Sequence, residues 1–392
     1  MNLPPLALYV HIPWCLKKCP YCDFNSHAFE GELPQRQYVQ RLLTDLDADH
    51  GYVQGRQLEA IFIGGGTPSL FSPDSIGTLL EGIGARIPFA EGIEITLEAN
   101  PGTFEVEKFR GFRQAGINRL SIGIQSFDPA FLLSLGRVHD DNEARQAAGQ
   151  ARDAGFDNFN LDLMFGLPEQ NTGQALADLE TALSFKPPHL SWYQLTIEPN
   201  TVFYSRPPAL PEDDLLAQMQ EEGIALLAGN GLERYEVSAY AARGRQSRHN
   251  LNYWQFGDYL GIGAGAHGKV TQPGAGGVIR TRKVRQPAAY LDAGKPLTAE
   301  SVAVPPAELP LEFMMNALRL KAGVDAALFE SRTGLSRDVL EPVLAKLRAR
   351  RLVQQDRLST TGPGFSFLND VLAEFMPEPD QPHGDIPVHF QP

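Results

Sequence analysis

All three thiols of this 392-residue chain fall within eight positions, in the stretch HIPWCLKKCPYCDF at residues 11–24: Cys15, Cys19 and Cys22. Three thiols leave one over after pairing, and the short spacers leave little chain to close, so no disulfide framework holds this protein together. It must fold on a core of its own, and with 43% apolar residues it has the material. Cysteine this scarce outside one cluster also fits a reducing compartment. The thiols are then available to a metal. Structural zinc usually takes four protein ligands, commonly as separated pairs. No second pair exists here, and His11 or His27 would have to complete the set. An iron–sulfur cluster suits the donors better, since thiolates are natural ligands of its irons. A four-iron cube on three cysteines keeps one iron without a protein ligand, open to something exchangeable.

A formal charge of −13 argues against a nucleic-acid binder and against a polybasic membrane anchor. The N-terminal MNLPPLALYVHIP has no basic region, and its apolar run is too short for a signal peptide. No run of about 18 apolar residues appears, so no membrane span is expected. The expectation is a soluble, cytoplasmic protein; peripheral contact with a membrane-bound partner stays open.

From residue 6 to about 200, short apolar runs alternate with amphipathic stretches. Strands are expected at 6–12, 58–64, 93–99, 119–125, 158–164 and 190–196, several of them nearly continuous apolar segments of the kind covered on both faces. Helical patterns lie between, at 38–50 and at 105–116, the latter ending in a glycine suited to a C-cap. Ser72-Pro73 reads as N-cap and first helical residue of another. Such alternation predicts an α/β fold with a parallel sheet and right-handed crossovers. Six units suit a partial (β/α)6, TIM-like barrel better than a complete eightfold one. Residues 211–300 extend it with a helix, a strand-like YEVSAY, the glycine-rich GIGAGAHG and a turn at QPGAGG. Residues 301–376 read as helix, helix, short hairpin, helix, a small winged-helix-like domain. The proline-rich 377–392 reads as a flexible tail.

In a parallel barrel, chemistry gathers where the strands end. The first loop carries the cysteines, and the second is GGGTP (64–68), whose glycines let backbone approach a ligand closely. The third strand ends in Glu98, placed to hold a ribose or an amine, or else to form a surface ion pair. The fourth ends in Gln125. The fifth carries Asp162 inside an apolar run, costly unless it is paired or bound to a ligand. Arg137, in LGRVH, would pair with a carboxylate or a ligand anion, or lie on the surface.

C-x₃-C-x₂-C with Tyr21 before the last cysteine resembles the radical S-adenosylmethionine (SAM) superfamily signature. In that superfamily SAM chelates the open iron, and an electron passed to its sulfonium releases a 5′-deoxyadenosyl radical. YVHIPWCLKKCPYCDFNSH, IFIGGGTPSL, EITLEANPGT, RLSIGIQSF, LGRVH and NLDLMFGLP together look like the oxygen-independent coproporphyrinogen III oxidase group, from about residue 6 to 375. The resemblance is closest to the haem-chaperone branch of that group, the HemW proteins. The oxidase has a further cysteine where this chain has Phe24, and a long extension where this chain has 14 residues before Cys15. HNLNYW (249–254) also matches a pattern associated with haem binding in that branch.

The resemblance implies a [4Fe–4S] cluster on Cys15, Cys19 and Cys22, and cluster-bound SAM held by Tyr9, Gly65 and Glu98. Tyr21, Gly66, Thr67, Gln125, Arg137 and Asp162 correspond to positions that contact a second SAM in the oxidase. Residues 301–376 would match the oxidase group's C-terminal domain. Neutral imidazole is a standard axial ligand of haem iron, so His249 becomes a haem-ligand candidate with His267 as the next; a packed core histidine is the plain alternative for His249. Three functions follow: a carrier that hands haem to acceptor haemoproteins without the oxidase activity, a coproporphyrinogen III oxidase of porphyrin biosynthesis, and an iron–sulfur sensor acting on a partner.

Overall fold

The structure is a computed structural model that describes residues 1–29, 31–102 and 106–376; the expected flexible tail lies outside these residues. Six strands run parallel in chain order: β1 (Leu6–Ile12), β2 (Leu58–Gly65), β3 (Phe89–Ala99), β4 (Arg119–Gln125), β5 (Phe159–Phe165) and β6 (His189–Gln194). Their register sets apolar residues side by side: Val10 with Ile63, Ile63 with Leu97, Leu97 with Leu120, Leu120 with Phe159, and Leu161 with Leu190. All of these are buried in one large core. Neighbours one residue away point to the other face. That face carries Tyr9, Glu98, Ser121, Asp162, Ser191 and Tyr193. The strands therefore alternate, apolar toward the helices and polar toward the barrel interior, where their composition suggested two apolar faces.

The helices begin and end as their sequences dictate. Ser72 accepts a hydrogen bond from the Ser75 N–H at the start of Pro73–Gly84. Gly116, with φ of +108°, follows the helix Val106–Gln114 in the left-handed conformation glycine permits.

The sheet extends beyond the six expected strands to twelve. A short pair, β7 (Glu233–Arg234) and β8 (Ala239–Ala241), continues it antiparallel from β6. On the other edge β9 (Asp258–Ile262) adds parallel to β1, followed by antiparallel β10 (His267–Gln272), β11 (Gly277–Lys283) and β12 (Thr298–Ala303). Glycines, lysines and arginines interrupt the apolar pattern of β9 to β11, and Thr298, Glu300 and Ser301 that of β12, which hid them. The order ends on β12 and β7 without closing, an open barrel. Helices at Leu309–Ala317, Ala326–Thr333 and Glu341–Ala349, with antiparallel bridges Val324–Leu358 and Val353–Thr360, form the C-terminal helical domain around a second apolar core. Among the described residues no helix is long and apolar enough to cross a membrane.

A buried ion cluster ties the added strands to the barrel. Lys283 Nζ on β11 lies 2.7 Å from both Asp45 Oδ1 and Asp49 Oδ2, and the Tyr290 hydroxyl donates to Asp45 Oδ2 at 2.6 Å. Removing one partner of a buried set strands the remaining charge. Lys283→Met should therefore cost about 3–5 kcal/mol of stability in urea unfolding; a loss below about 1 kcal/mol, the level of an exposed pair, would contradict this anchoring role.

Candidate functional site

The cysteine loop leaves β1 through Trp14, whose indole packs edge-on against Tyr38 at 4.7 Å and is buried in the core. Trp14–Cys15 then pairs in parallel with His27–Ala28, so both ends of the loop are fixed close together. Asn25 fastens the exit by donating two 2.9 Å hydrogen bonds, to the carbonyls of Ala264 and Arg285. Between these anchors Cys15, Cys19 and Cys22 are unpaired and partly exposed. Burial pushes the Cys15 thiol up to about 11, with the Thr67 and Ser26 hydroxyls opposing it, and pushes Cys22 up as well. Two cations act on the thiols: Arg137, whose Nη1 lies 3.6 Å from Cys19 Sγ, and Lys18 near Cys22.

The donor set bears on the zinc alternative. His11 accepts from the Tyr9 hydroxyl at Nδ1 (2.7 Å) and donates from Nε2 to the Asn25 carbonyl (3.0 Å), so neither ring nitrogen is open. His27 is paired with Asn25 Oδ1 at 3.3 Å. Among the described residues no group of three or more His, Cys, Asp or Glu side chains converges on a single metal ion. A cube places each thiolate on a different iron and does not require that convergence. Three soft donors on one loop, with no fourth protein ligand at hand, fit the cluster.

GGGTP closes against this loop. The Gly66 N–H donates to the Ile12 carbonyl at 2.8 Å and the Thr67 N–H to the Trp14 carbonyl at 2.7 Å. A Cβ on Gly65, whose φ is +115°, would stand 2.6 Å from the His11 ring, and one on Gly66 would stand 2.5 Å from the Trp14 carbonyl oxygen. No side chain fits at either position. The Gly65 N–H donates to Glu98 Oε2 at 3.0 Å.

Below the glycines the polar face of the barrel holds two acids. Glu98 and Asp162 are surrounded by protein yet keep some accessible surface, as groups lining an internal cleft do. Burial, followed by the negative charge of Asp162, raises Glu98 to about 8; the Gly65 N–H offsets only part of this. Burial raises Asp162 too, against hydrogen bonds from Asn160 Nδ2 (2.8 Å) and Ser121 Oγ (3.0 Å). Neither acid has a salt-bridge partner among the described residues, so the cleft suits a ligand bringing a positive charge. At the rim Arg137 donates to Asn100 Oδ1 and the Gly123 carbonyl, both at 2.8 Å, and Asn100 donates to Thr67 Oγ1 at 2.9 Å. Gln125, at φ +71°, accepts from the Tyr193 hydroxyl at 2.7 Å. Tyr21 packs on Phe203 with ring centres 6.3 Å apart. Every residue assigned to the cluster or to SAM thus lies around one mouth.

His249 does not. It sits in the helix Arg248–Trp254, 6% exposed, with its ring 4.1 Å from Phe62 inside the barrel. Its Nδ1 is 3.1 Å from Glu94 Oε1 and 2.8 Å from Ser247 Oγ. Burial of Glu94 opposes ionisation, but His249, Arg119 and the Arg248 N–H together hold it down at about 2. Burial pushes His249 below the usual imidazole range, with the Glu94 carboxylate opposing it. Trp254, at the far end of the motif, packs in the second core under the Arg319 guanidinium, so HNLNYW joins the two cores. His267, in contrast, is exposed at the start of β10.

Several residues of this interior escaped the sequence reading. Asn160 links Ser121 and Asp162 to His189, which in turn meets the Tyr235 hydroxyl at 2.9 Å; Tyr235 accepts from Asn250 Nδ2 and the Ser247 N–H. A continuous hydrogen-bonded chain so connects Asp162 with the HNLNYW helix. The available signal was alternation: Glu94, Thr96 and Glu98 share one face of β3, and Arg119 and Ser121 share one face of β4.

The Radical SAM superfamily profile matches residues 9–182, and that of the HemN C-terminal domain matches 304–367. The chain is 52% identical over 380 residues to the haem chaperone HemW of Escherichia coli (strain K12), covering 96% of this chain and all (100%) of that one. It is 35% identical over 384 residues to the haem chaperone HemW of Bacillus subtilis (strain 168), covering 95% and 99%. The solved structure of coproporphyrinogen III oxidase (HemN) from Escherichia coli shares the fold, with a TM-score of 0.79 at 22% identity over 95% of this chain and 90% of that one.

Glu98 yields a prediction independent of any ligand. Its folded-state pKa lies above the unfolded value, so the folded protein holds the extra proton, and stability is lost as pH rises from about 4.5 toward 8. Glu98→Gln should leave the cofactor-free protein similar at pH 5 but more stable at pH 9, by roughly 1–3 kcal/mol in urea unfolding. A stability difference independent of pH would refute the buried, uncompensated carboxylate.

Proposed function

Since the chain belongs to the HemW family of the radical SAM superfamily, we propose that it binds haem and hands it to acceptor haemoproteins, on a scaffold that carries a [4Fe–4S] cluster and SAM. The observation that carries this reading is the end-to-end 52% identity to a haem chaperone. Phe24, at the position of the oxidase's further cysteine, supports it.

In this reading Cys15, Cys19 and Cys22 hold three irons. A cluster so bound, with SAM on its open iron, would supply one-electron chemistry. Tyr9, Gly65 and Glu98 would hold the methionyl end of SAM. The Glu98 carboxylate would accept an N–H from the amino group, whose nitrogen keeps its lone pair for the iron, and the positive sulfonium would offset the cost of burying the acid. Tyr21, Gly66, Thr67, Gln125, Arg137 and Asp162 form the adjoining wall, the positions matching a second SAM. Thiols must lose protons to bind iron, so Cys15, held up at about 11, makes cluster assembly weaken as pH falls.

Haem ligation by His249 would require its helix to swing away from Glu94 and Phe62.

The anaerobically reconstituted protein should bind haem saturably, read from its Soret band. It should form no protoporphyrinogen from coproporphyrinogen III with SAM and reductant. Turnover at the rate of an authentic oxidase, without haem binding, would overturn the carrier reading. Cys22→Ala should lose most of the cluster's charge-transfer absorbance on reconstitution, and full iron and sulfide content in that variant would remove Cys22 from the ligand set.

A further inference from the structure

Burial of His249 leaves open where haem docks on the closed protein. Large apolar side chains exposed to water are informative when they gather. Ten stand out among the described residues, and five of them lie on three segments beside the cysteine loop: Leu16 (52% exposed), Leu133 (81%), Val138 (52%), Val202 (54%) and Tyr204 (58%).

These segments meet at Pro20. The Phe203 N–H donates to the Pro20 carbonyl at 3.0 Å, joining the Val202–Ser205 helix to the cysteine loop. On the other side Gly136 faces Pro20 so closely that an added Cβ would stand 2.8 Å from its ring. Beneath them Phe131, Leu135, Met164, Leu167, Leu195 and Phe203 form a separate apolar cluster against which Tyr21 packs. The segments are thus backed by their own core, and the five outward side chains are surplus to it.

The rim is basic. Lys17, Lys18 and Arg206 are exposed there, and Lys17 and Arg206 form no salt bridge among the described residues. Positive charge gathered at one site on a chain of net charge −13 is out of keeping with its average surface. Lys18 also donates to the Phe24 carbonyl, which leaves Lys17 and Arg206 as the more available pair.

We propose that haem docks on this surface, its apolar face on Leu133, Val138, Val202 and Tyr204 and its two carboxylates toward Lys17 and Arg206. The proposal rests on the haem-carrier reading and gives it a site. A flat apolar ring with anionic groups along one edge matches five apolar side chains with a cationic border. Tyr204 adds a phenolic oxygen, a donor type that ligates haem iron.

The test titrates haemin into the cluster-reconstituted, full-length protein and follows the Soret band. The double variant Leu133→Glu/Tyr204→Glu should bind at least tenfold more weakly than wild type. Val339→Glu, which places the same charge on an exposed residue of the C-terminal domain, should bind as wild type does. Arg206→Glu lies outside the cysteine loop and should weaken binding several-fold; it carries the test should the double variant fail to fold. Wild-type affinity in a folded double variant with full iron content, or in Arg206→Glu if the double variant does not fold, would overturn this site and leave the haem-carrier reading standing. Absence of saturable binding in the wild type would overturn both.

Discussion

The close packing of Gly64 on Glu98, of Gly65 on His11 and of Gly66 on the Trp14 backbone at the root of the cysteine loop is the constraint that shapes the site. Backbone alone fits between the His11 ring, the Trp14 carbonyl and the Glu98 carboxyl. This contact fixes the root of the cysteine loop over the end of β2. It also aims the Gly65 N–H at Glu98 and sets Thr67 within reach of both Cys15 and Asn100. A single methyl group on Gly66 would push the glycine loop and the root of the cysteine loop apart.

Electrostatics inside the barrel follow from that geometry. Near the mouth, Glu98 and Asp162 are raised by burial and form no salt bridge among the described residues, with Arg119 offsetting only part of the effect on Asp162, so the cleft suits a positive ligand. Deeper in, Glu94 is ionised and compensated by Arg119 and by the start of the HNLNYW helix, which behaves as an internal plug. The neutral chain through Asn160, His189 and Tyr235 joins the two levels. Two carboxylates on one strand thus serve opposite ends, Glu94 structural and Glu98 poised, although only three residues separate them.

Much of this was legible in the sequence because the signals were local. Cys15, Cys19 and Cys22 within one loop, three consecutive glycines after a strand, and Ser72-Pro73 opening a helix each depend on neighbours only a few positions away. The six parallel strands were equally plain. The antiparallel β10 to β12 were not: Lys269, Arg280, Arg282 and Lys283 break their apolar pattern, and Asp258, Asp45 and Asp49 compensate two of these charges from distant parts of the chain. His249 shows the same limit. Its motif is visible, but its burial depends on Glu94 and Phe62, more than 150 residues earlier. The role of Arg119 could not be read either, since the acids and histidines around it come from β3, β5, β6 and the plug helix.

Three cysteines would leave one iron of the cluster for the amino nitrogen and carboxylate of SAM, beside a cleft whose two buried acids suit its positive sulfonium. Electron–nuclear double resonance of the reduced cluster, with SAM labelled at its amino nitrogen and its carboxylate, tests this most directly. Hyperfine coupling is expected from both labels, with a cluster signal that changes on SAM addition. A signal unchanged by SAM, with coupling from a protein nitrogen instead, would show that the fourth iron is closed and would contradict it.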